Sequence, residues 1–212
     1  MGHSATGFYQ SKSEIYNSKL QAITKKVRYF AWYRLLVFLF IFLPLFFWEE
    51  IGWWSLLPAL VFIVLFFLLI KKNIQLEKQK KKYRVLQKLA EDELLALDHQ
   101  FSHFDGGKEF LDTSHFYSYD LDVFGKDSVF QFINRTATQS GKTKLAEWMK
   151  NPPLGKDEIK RRQQAVGELA IIPNWRLHFL ANGHLFKETN ELSNEIGKST
   201  RLNSSHRYVS RM

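Results

Sequence analysis

Two long uncharged apolar runs near the N-terminus constrain what this chain can fold into. Residues 35–48 carry no charged side chain, and residues 51–70 form a second run of 20 uncharged residues. A helix needs about 20 apolar residues to cross the hydrocarbon core of a bilayer. The second run meets this length, and the first meets it when it is extended back to Tyr29, with Arg34 reaching the lipid headgroups from near the helix end. The sequence therefore predicts a transmembrane hairpin with spans at residues 29–48 and 51–70.

Two other interpretations of these runs are weaker. A buried hairpin in a soluble protein would show amphipathic periodicity and a polar face, and neither run has them. A cleaved signal peptide would be shorter, would start earlier and would not be followed at once by a second apolar run. Aromatic residues also lie near the run ends, where an interfacial belt places them: Trp32, Tyr33, Trp48, Trp53 and Trp54.

The charges that flank the runs predict their orientation. Residues 1–34 carry six Lys/Arg and one acid, and residues 71–97 carry eight Lys/Arg and four acids. The turn between the spans carries only Glu49 and Glu50. Because cytoplasmic loops are enriched in Lys/Arg, both termini are expected in the cytoplasm. We therefore expect the inner (cytoplasmic) membrane, with a basic segment at residues 1–28 and a basic juxtamembrane helix at 71–97.

This distribution explains the net charge of +9 without a basic soluble domain. Residues 98–212 hold 16 basic and 14 acidic residues, so the excess lies beside the spans. Anionic lipid attracts such residues by about 1 kcal/mol each. The lipid bilayer is therefore the first predicted partner, and charge alone does not indicate DNA. The absence of cysteine excludes disulfides, thiolate metal sites and a cysteine nucleophile.

The rest of the chain reads as helices and loops. Residues 72–97 continue the second span as a helix, and residues 98–127 are loop-like, with one alternating stretch at Tyr117–Phe124 that could form a short strand. Four shorter helices are predicted at residues 128–134, 138–149, 156–170 and 174–186. The fold class is mainly α: a two-helix transmembrane hairpin followed by a helical piece.

Motifs that would carry chemistry fail on inspection. Ser140-Gly141-Lys142-Thr143 resembles the end of a phosphate-binding loop, but Thr136 stands where that loop needs its first glycine, and the segment reads as helix. His99 and His103 lie four residues apart near acids, without a third strong metal ligand at helical spacing. Asp120 and Asp122 are more typical of caps before a turn than of paired acid–base groups. We predict no catalytic, cofactor or metal site in this chain and no small-molecule substrate.

A resemblance extends from Phe110 to Ala170. Its most specific parts are Asp120-Leu121-Asp122-Val123-Phe124-Gly125 and Ser128-Val129-Phe130-Gln131-Phe132-Ile133-Asn134-Arg135-Thr136. Further matches follow in the same order: Thr138, Gly141, Leu145-Ala146-Glu147-Trp148, Pro152, Ile159, Arg162-Gln163 and Ala165-Val166. Together they resemble the start of the core (clamp and lever) region of MutS-type DNA mismatch repair ATPases. On this resemblance, residues 98–198 form part of a MutS-like core domain.

The resemblance implies more than this chain contains. The hairpin resembles a membrane-anchored bacterial branch of MutS-related proteins that lacks the mismatch-reading domain. The family implies a C-terminal ATPase that uses ATP and Mg²⁺, forms a homodimer and couples ATP to DNA binding. This sequence stops before any such ATPase, so we expect it to be an N-terminal fragment. Its tail, residues 199–212, has no apolar periodicity and is expected to be disordered, either as a native basic tail or as a non-native extension.

Two functions remain open at this point. The chain is the anchor and the start of the core of a membrane-bound MutS-related DNA-binding ATPase, with DNA as a candidate partner. Alternatively, it is a non-enzymatic membrane adaptor whose helical region docks a cytoplasmic protein. A complete small enzyme is disfavoured because no catalytic constellation is visible.

Overall fold

Helices dominate the part of the chain that the structure, a computed structural model, describes: residues 2–46 and 52–187. The helices are α1 (Gly2–Phe46), α2 (Leu56–Leu97), α3 (Val129–Ile133), α4 (Gln139–Lys150), α5 (Lys156–Ala170) and α6 (173–187). Short 3-10 turns lie at Gly52–Ser55 and Lys108–Phe110. These two described ranges contain no strand, so the mainly α fold class is confirmed.

Tyr117–Phe124, the one stretch whose alternation could have formed a short strand, is not a strand. The amide of Leu121 donates to the carbonyl of Tyr117 at 3.0 Å, and the amide of Val123 donates to the carbonyl of Ser118 at 3.0 Å. These local hydrogen bonds coil the segment into turns. Asp122 has a φ of 47°, in the left-handed region, which interrupts the alternation that a strand requires. The four short helices after this segment are confirmed to within one residue at most ends.

The chain divides into two compact units. The hairpin unit is Ser11–Gln87, and the second unit combines Met1–Gln10 with Lys88–Met212. Within the hairpin unit α1 and α2 pair antiparallel. Ring centroids lie 5.9 Å apart for Phe38 with Phe66, 5.9 Å for Phe40 with Phe62 and 6.2 Å for Tyr16 with Tyr83.

Both long helices contain stretches long and apolar enough to cross a membrane. The candidate spans lie within Ala5–Pro44 and Gly52–Leu97, and only 6% of the most apolar window of each is buried. Large apolar side chains therefore point outward: Leu39 is 58% exposed and Val61 is 65% exposed. Length and composition alone make these helices candidate spans.

The second unit has a small aromatic core built from loops and short helices. Val123, Phe124, Phe130 and Ala146 are buried, and Phe110, Tyr117, Leu145 and Met149 pack against them. Three rings form its centre: Phe124 lies 5.2 Å from Phe130, and Phe110 lies 5.8 Å from each. Such offset ring pairs add about 0.5–1.5 kcal/mol each beyond their buried area. This core holds α3 and α4 together.

Residues 188–212 lie outside the described residues. The expected tail at 199–212 and the end of the MutS-like piece at 198 both fall there. The predicted domain boundaries at 28, 48, 70 and 97 stay predictions.

Candidate functional site: the Asn-Arg-Thr corner

The short helix α3 and the residues after it position a hydrogen-bonded cluster of side chains, Gln131, Asn134, Arg135 and Thr136, which we call the Asn-Arg-Thr corner. Ser128 is its N-cap: the hydroxyl accepts a hydrogen bond from the amide of Gln131 at 3.1 Å and donates to the carbonyl of Gly125 at 2.9 Å. An N-cap of this kind is worth about 1 kcal/mol to a helix. Phe130, fully buried, fixes the inner face of the helix in the aromatic core. The polar residues that follow Phe130 are therefore held in fixed directions.

Gln131 is a buried polar side chain with all its partners on the main chain. Its Oε1 accepts from the amide of Asp127 at 2.7 Å. Its Nε2 donates to the carbonyls of Phe104 at 2.7 Å and Ser102 at 3.2 Å. A buried amide costs free energy unless it is hydrogen-bonded, so these contacts hold the 102–104 loop against α3.

Asn134 and Thr136, which follow the C-terminal end of α3, add further hydrogen bonds to this corner. The Asn134 Nδ2 donates to the carbonyl of Asp105 at 2.9 Å. Its Oδ1 accepts from both the amide and the hydroxyl of Thr136, at 3.1 and 2.7 Å. The chain is thereby turned away from α3 toward α4, whose own N-cap, Thr138, accepts from the amide of Gly141.

Arg135 joins this corner to the end of α2. Its Nε and one terminal nitrogen lie 2.7 and 3.3 Å from the two carboxylate oxygens of Glu93. Its guanidinium carbon lies 3.7 Å from the centroid of the Phe104 ring. Its other terminal nitrogen donates to the carbonyl of Phe132 at 2.8 Å. A two-pronged ion pair combined with ring stacking is a geometry that arginine can make and lysine cannot.

Gly106 and Gly107 allow the loop before α3 to pack closely against Gly125 and Phe130. A Cβ on Gly106 would collide with the carbonyl of Gly125, whose amide in turn donates to the Gly106 carbonyl at 2.8 Å. Gly107 has a φ of 67°, and a Cβ there would lie 2.7 Å from the Phe130 ring. Only residues without side chains fit these backbone positions.

Lys142 makes the second charged link in this unit. Its Nζ, on a side chain only 12% exposed, binds the carboxylates of Asp105 and Glu109. Burial opposes its charge, but the two carboxylate hydrogen bonds outweigh burial and raise the pKa of Lys142. Burial likewise opposes ionisation of Asp105, yet the hydrogen bonds from Lys142 and the Gly107 amide lower its pKa. The hydrogen bond from Lys142 lowers the pKa of Glu109.

These contacts decide the interpretation of the Ser140-Gly141-Lys142-Thr143 motif. The segment lies inside α4, as predicted, and its lysine is occupied by two carboxylates. A phosphate-binding loop instead needs a strand-to-helix turn with free amides and a free lysine. In the described part of the chain these residues therefore do not fit the ATP and Mg²⁺ that the resemblance implies for the whole family.

The 115–117 turn holds the C-terminal end of α4. The Nε2 of His115 lies 3.2 Å from the carbonyl of Lys150, while its Nδ1 accepts from the amide of Ser118 at 3.2 Å. The Tyr117 hydroxyl lies against the carbonyls of Met149 and Lys150, 3.0 Å from the latter. These contacts satisfy carbonyls that a helix end leaves without partners.

The remaining predicted candidates are not brought together into a site. His103 faces Asp92 at 3.6 Å, and His99 adopts a left-handed backbone with a φ of 60°. Among the described residues no group of three or more His, Cys, Asp or Glu could hold a metal ion. Asp120 and Asp122 lie in the turns before α3.

Sequence reasoning missed the partners of the corner. No pattern in the sequence links Glu93, Asp105 or Gly106 to this corner, because each contacts residues about 20 to 40 positions away. The adjacent glycines Gly106 and Gly107 were the available signal, since such a pair marks a close backbone approach.

The outer helices leave apolar side chains exposed. No residue of α5 is buried, and Ile159, Val166 and Leu169 are all exposed. On α6 the rings of Trp175 and Phe179 stack at 5.0 Å and are also exposed. The second unit therefore leaves apolar side chains on α5 and α6 that its described helices do not cover.

Comparison with known proteins gives one family. The family model of MutS domain III matches residues 111–210, which contain the buried residues of the aromatic core, the Asn134-Arg135-Thr136 segment and helices α3–α6. The match supports a MutS-related family, in agreement with the resemblance of Phe110–Ala170. No curated protein and no solved structure matches the chain.

Proposed function

We propose that this chain is the membrane anchor and the start of the core domain of a MutS-related protein, whose full form is an ATP-dependent DNA-binding protein. The proposal rests on one helix that links the apolar hairpin to the region matching MutS domain III. The helix α2 contains an apolar stretch with exposed side chains and ends at Leu97, shortly before the residues that match MutS domain III.

Physical chemistry supports the membrane part of this proposal. Soluble monomers rarely expose contiguous apolar patches beyond a few hundred Å². Most of the large apolar residues between Tyr29 and Leu68 are exposed in the hairpin unit. Lipid tails would cover them, and the basic residues on both flanks would face the cytoplasm.

A labelling experiment tests anchoring and orientation together. The chain has no cysteine, so single cysteines introduced by Ser18→Cys, Trp53→Cys and Gln164→Cys report their own positions. In bacterial spheroplasts, a membrane-impermeant maleimide should label Trp53→Cys directly, and the other two only after permeabilisation. Recovery of the chain in the soluble fraction would contradict the anchor, and the reverse labelling pattern would contradict the orientation.

The ATPase part of the proposal needs residues beyond this chain. ATP, Mg²⁺ and a homodimer interface would be supplied by a following ATPase domain. Sequencing the genomic locus past codon 198 tests this directly. A frame that continues into a GxxxxGK[ST] loop supports the proposal, and a stop codon after Met212 contradicts it.

The exposed apolar face of α5 favours a second candidate function. A non-enzymatic membrane adaptor would use such a face to dock a cytoplasmic protein. A stop codon after Met212 would favour the adaptor, and its partner would then be sought by crosslinking from Val166.

A further inference from the structure

The hairpin unit continues beyond its apolar stretches as a basic helix pair. We call this part the stalk: residues 11–28 of α1 and 71–87 of α2. The stalk carries twelve Lys/Arg and only two acids, Glu14 and Glu77. The stacked rings of Tyr16 and Tyr83 and the buried side chains of Ile23 and Leu76 hold its two helices together.

Nine of the twelve basic residues of the stalk fall into two tiers by their distance from the apolar runs. The proximal tier lies beside the apolar runs and consists of Lys25, Lys26, Arg28, Lys71 and Lys72. The distal tier consists of Lys19, Lys78, Lys82 and Arg84. At 1.5 Å per helical residue, Lys78 is about 12 Å, Lys82 about 18 Å and Arg84 about 21 Å beyond Ile70 along α2.

Lipid headgroups reach the proximal tier but not the outer half of the distal one. Headgroups extend roughly 5–8 Å beyond the hydrocarbon core. Their electrostatic attraction decays over about 8 Å at physiological salt. The headgroup depth and the decay length add to about 15 Å, and Lys82 and Arg84 lie farther than this from the apolar run. A typical helix tilt of about 20° shortens their height by only about a twentieth.

The distal residues are available to a ligand. Lys78, Lys82 and Arg84 are exposed, and none of the three pairs with a carboxylate in the described part of the chain. Lys71, Lys78 and Lys82 follow one outward helix face at spacings of seven and four residues, opposite the buried Leu76. Lys19 on α1 adds its charge beside them, with its Nζ 5.6 Å from the Tyr83 ring.

We propose that this distal tier binds the sugar–phosphate backbone of a nucleic acid and holds it near the membrane. Like charges clustered without acidic partners repel one another, and a dense polyanion relieves that repulsion. Duplex DNA carries one negative charge per about 1.7 Å of axis, a density that suits a row of lysines. Such binding is independent of base sequence. The placement of the tiers depends on the membrane anchoring proposed above.

The test uses the full chain in phosphatidylcholine nanodiscs with a fluorescent 30-bp duplex. The distal variant is Lys78→Gln/Lys82→Gln/Arg84→Gln. The matched control, Lys25→Gln/Lys26→Gln/Lys72→Gln, removes the same charge from the proximal tier. Affinity is measured between 50 and 200 mM salt, and circular dichroism checks that both variants keep their helix content.

The distal variant should lower the salt slope by about 1.8–2.7, because each lost phosphate contact removes about 0.9 and Arg84 lies on a different helix face from Lys78 and Lys82. Wild-type affinity should then fall about 12- to 40-fold more than that of the distal variant across this salt range. The proximal variant should retain the wild-type slope.

Several results would overturn the proposal. They are no binding by the wild type, equal losses in both variants, or no effect of the distal variant. Loss of binding when phosphatidylglycerol is added to the discs would show that lipid headgroups occupy the distal tier instead. Alkaline extraction of the same protein from vesicles scores the anchor separately, so failure of the anchor and failure of this site are distinguishable.

Discussion

Arg135→Ala should destabilise the second unit, because it removes both the ion pair with Glu93 and the stacking on Phe104. Arg135 and Glu93 are 26% and 22% exposed, so their pair lies between a surface pair worth 0.2–1 kcal/mol and a buried pair whose disruption costs about 3–5 kcal/mol. The stacking on Phe104 adds about 0.5–1 kcal/mol. Together we expect a loss of about 2 kcal/mol, equivalent to about 30-fold in the opening equilibrium.

Hydrogen exchange followed by mass spectrometry measures this loss locally in the full chain. The amides of Gly107 and Gly125 are suitable reporters, because their acceptors, an Asp105 carboxylate oxygen and the Gly106 carbonyl, belong to the loop that Arg135 supports. Their exchange should accelerate by about 30-fold in the Arg135→Ala variant, while amides within the hairpin unit remain unchanged.

Arg161→Ala is the matched control. Arg161 also pairs with a glutamate, Glu158 at 3.1 Å, but its side chain is 74% exposed. We expect less than about 0.5 kcal/mol from this change. Equal acceleration in the two alanine variants would refute the assignment of Arg135 as the link to α2. Wild-type exchange in Arg135→Lys would refute the importance of its two-pronged geometry.

Three further outcomes follow from the structure. Gly106→Ala should cost about 1–3 kcal/mol in thermal unfolding because its Cβ meets backbone, whereas Gly167→Ala, with open space inside α5, should stabilise by about 0.5–1 kcal/mol. Lys142→Met should weaken the acid dependence of the free energy of unfolding. In the wild type Lys142 lowers the pKa values of Asp105 and Glu109 from their ordinary values of 3.8 and 4.5, so its stabilisation is present above those values and is lost as the pH falls through the lowered ones. A pH series of urea melts measures this, and Lys144→Met should leave the acid dependence unchanged. Val61→Arg should cost about 2.5–3.5 kcal/mol of membrane insertion in a translocation assay, and an unaltered inserted fraction would contradict the second span.

Helix positions were largely predictable, and the reasons are local. Pro152-Pro153 ends α4, and an N-cap residue precedes each of α3 and α4, so short-range chemistry marks these boundaries. The alternation at Tyr117–Phe124 does not give a strand, because alternation is also compatible with turns once Asp122 takes a left-handed backbone. Apolar periodicity alone cannot distinguish these two states in a segment of eight residues.

The candidate site was not predictable in the same way. The Asn-Arg-Thr sequence was recognised by resemblance, but nothing local to it indicates Glu93, which lies 42 positions before Arg135. The loop contacts of Gln131 and Asn134 span 27 to 29 positions. Contacts of this range depend on how the whole unit closes, and a pattern search along the chain does not capture that.

The phenylalanines show why position along the chain matters more than composition. The chain contains 19 of them. In the hairpin unit they occur in runs without polar neighbours, and Phe67 is 64% exposed there. In the second unit they occur singly among polar residues, and Phe130 is fully buried. An unbroken apolar run on a single helix pair has too little protein surface to cover it, which is why we propose lipid as its cover. An isolated ring beside glycines and caps can be enclosed by a short loop. The same residue type therefore lines exposed apolar helices in one part of the chain and a compact core in the other.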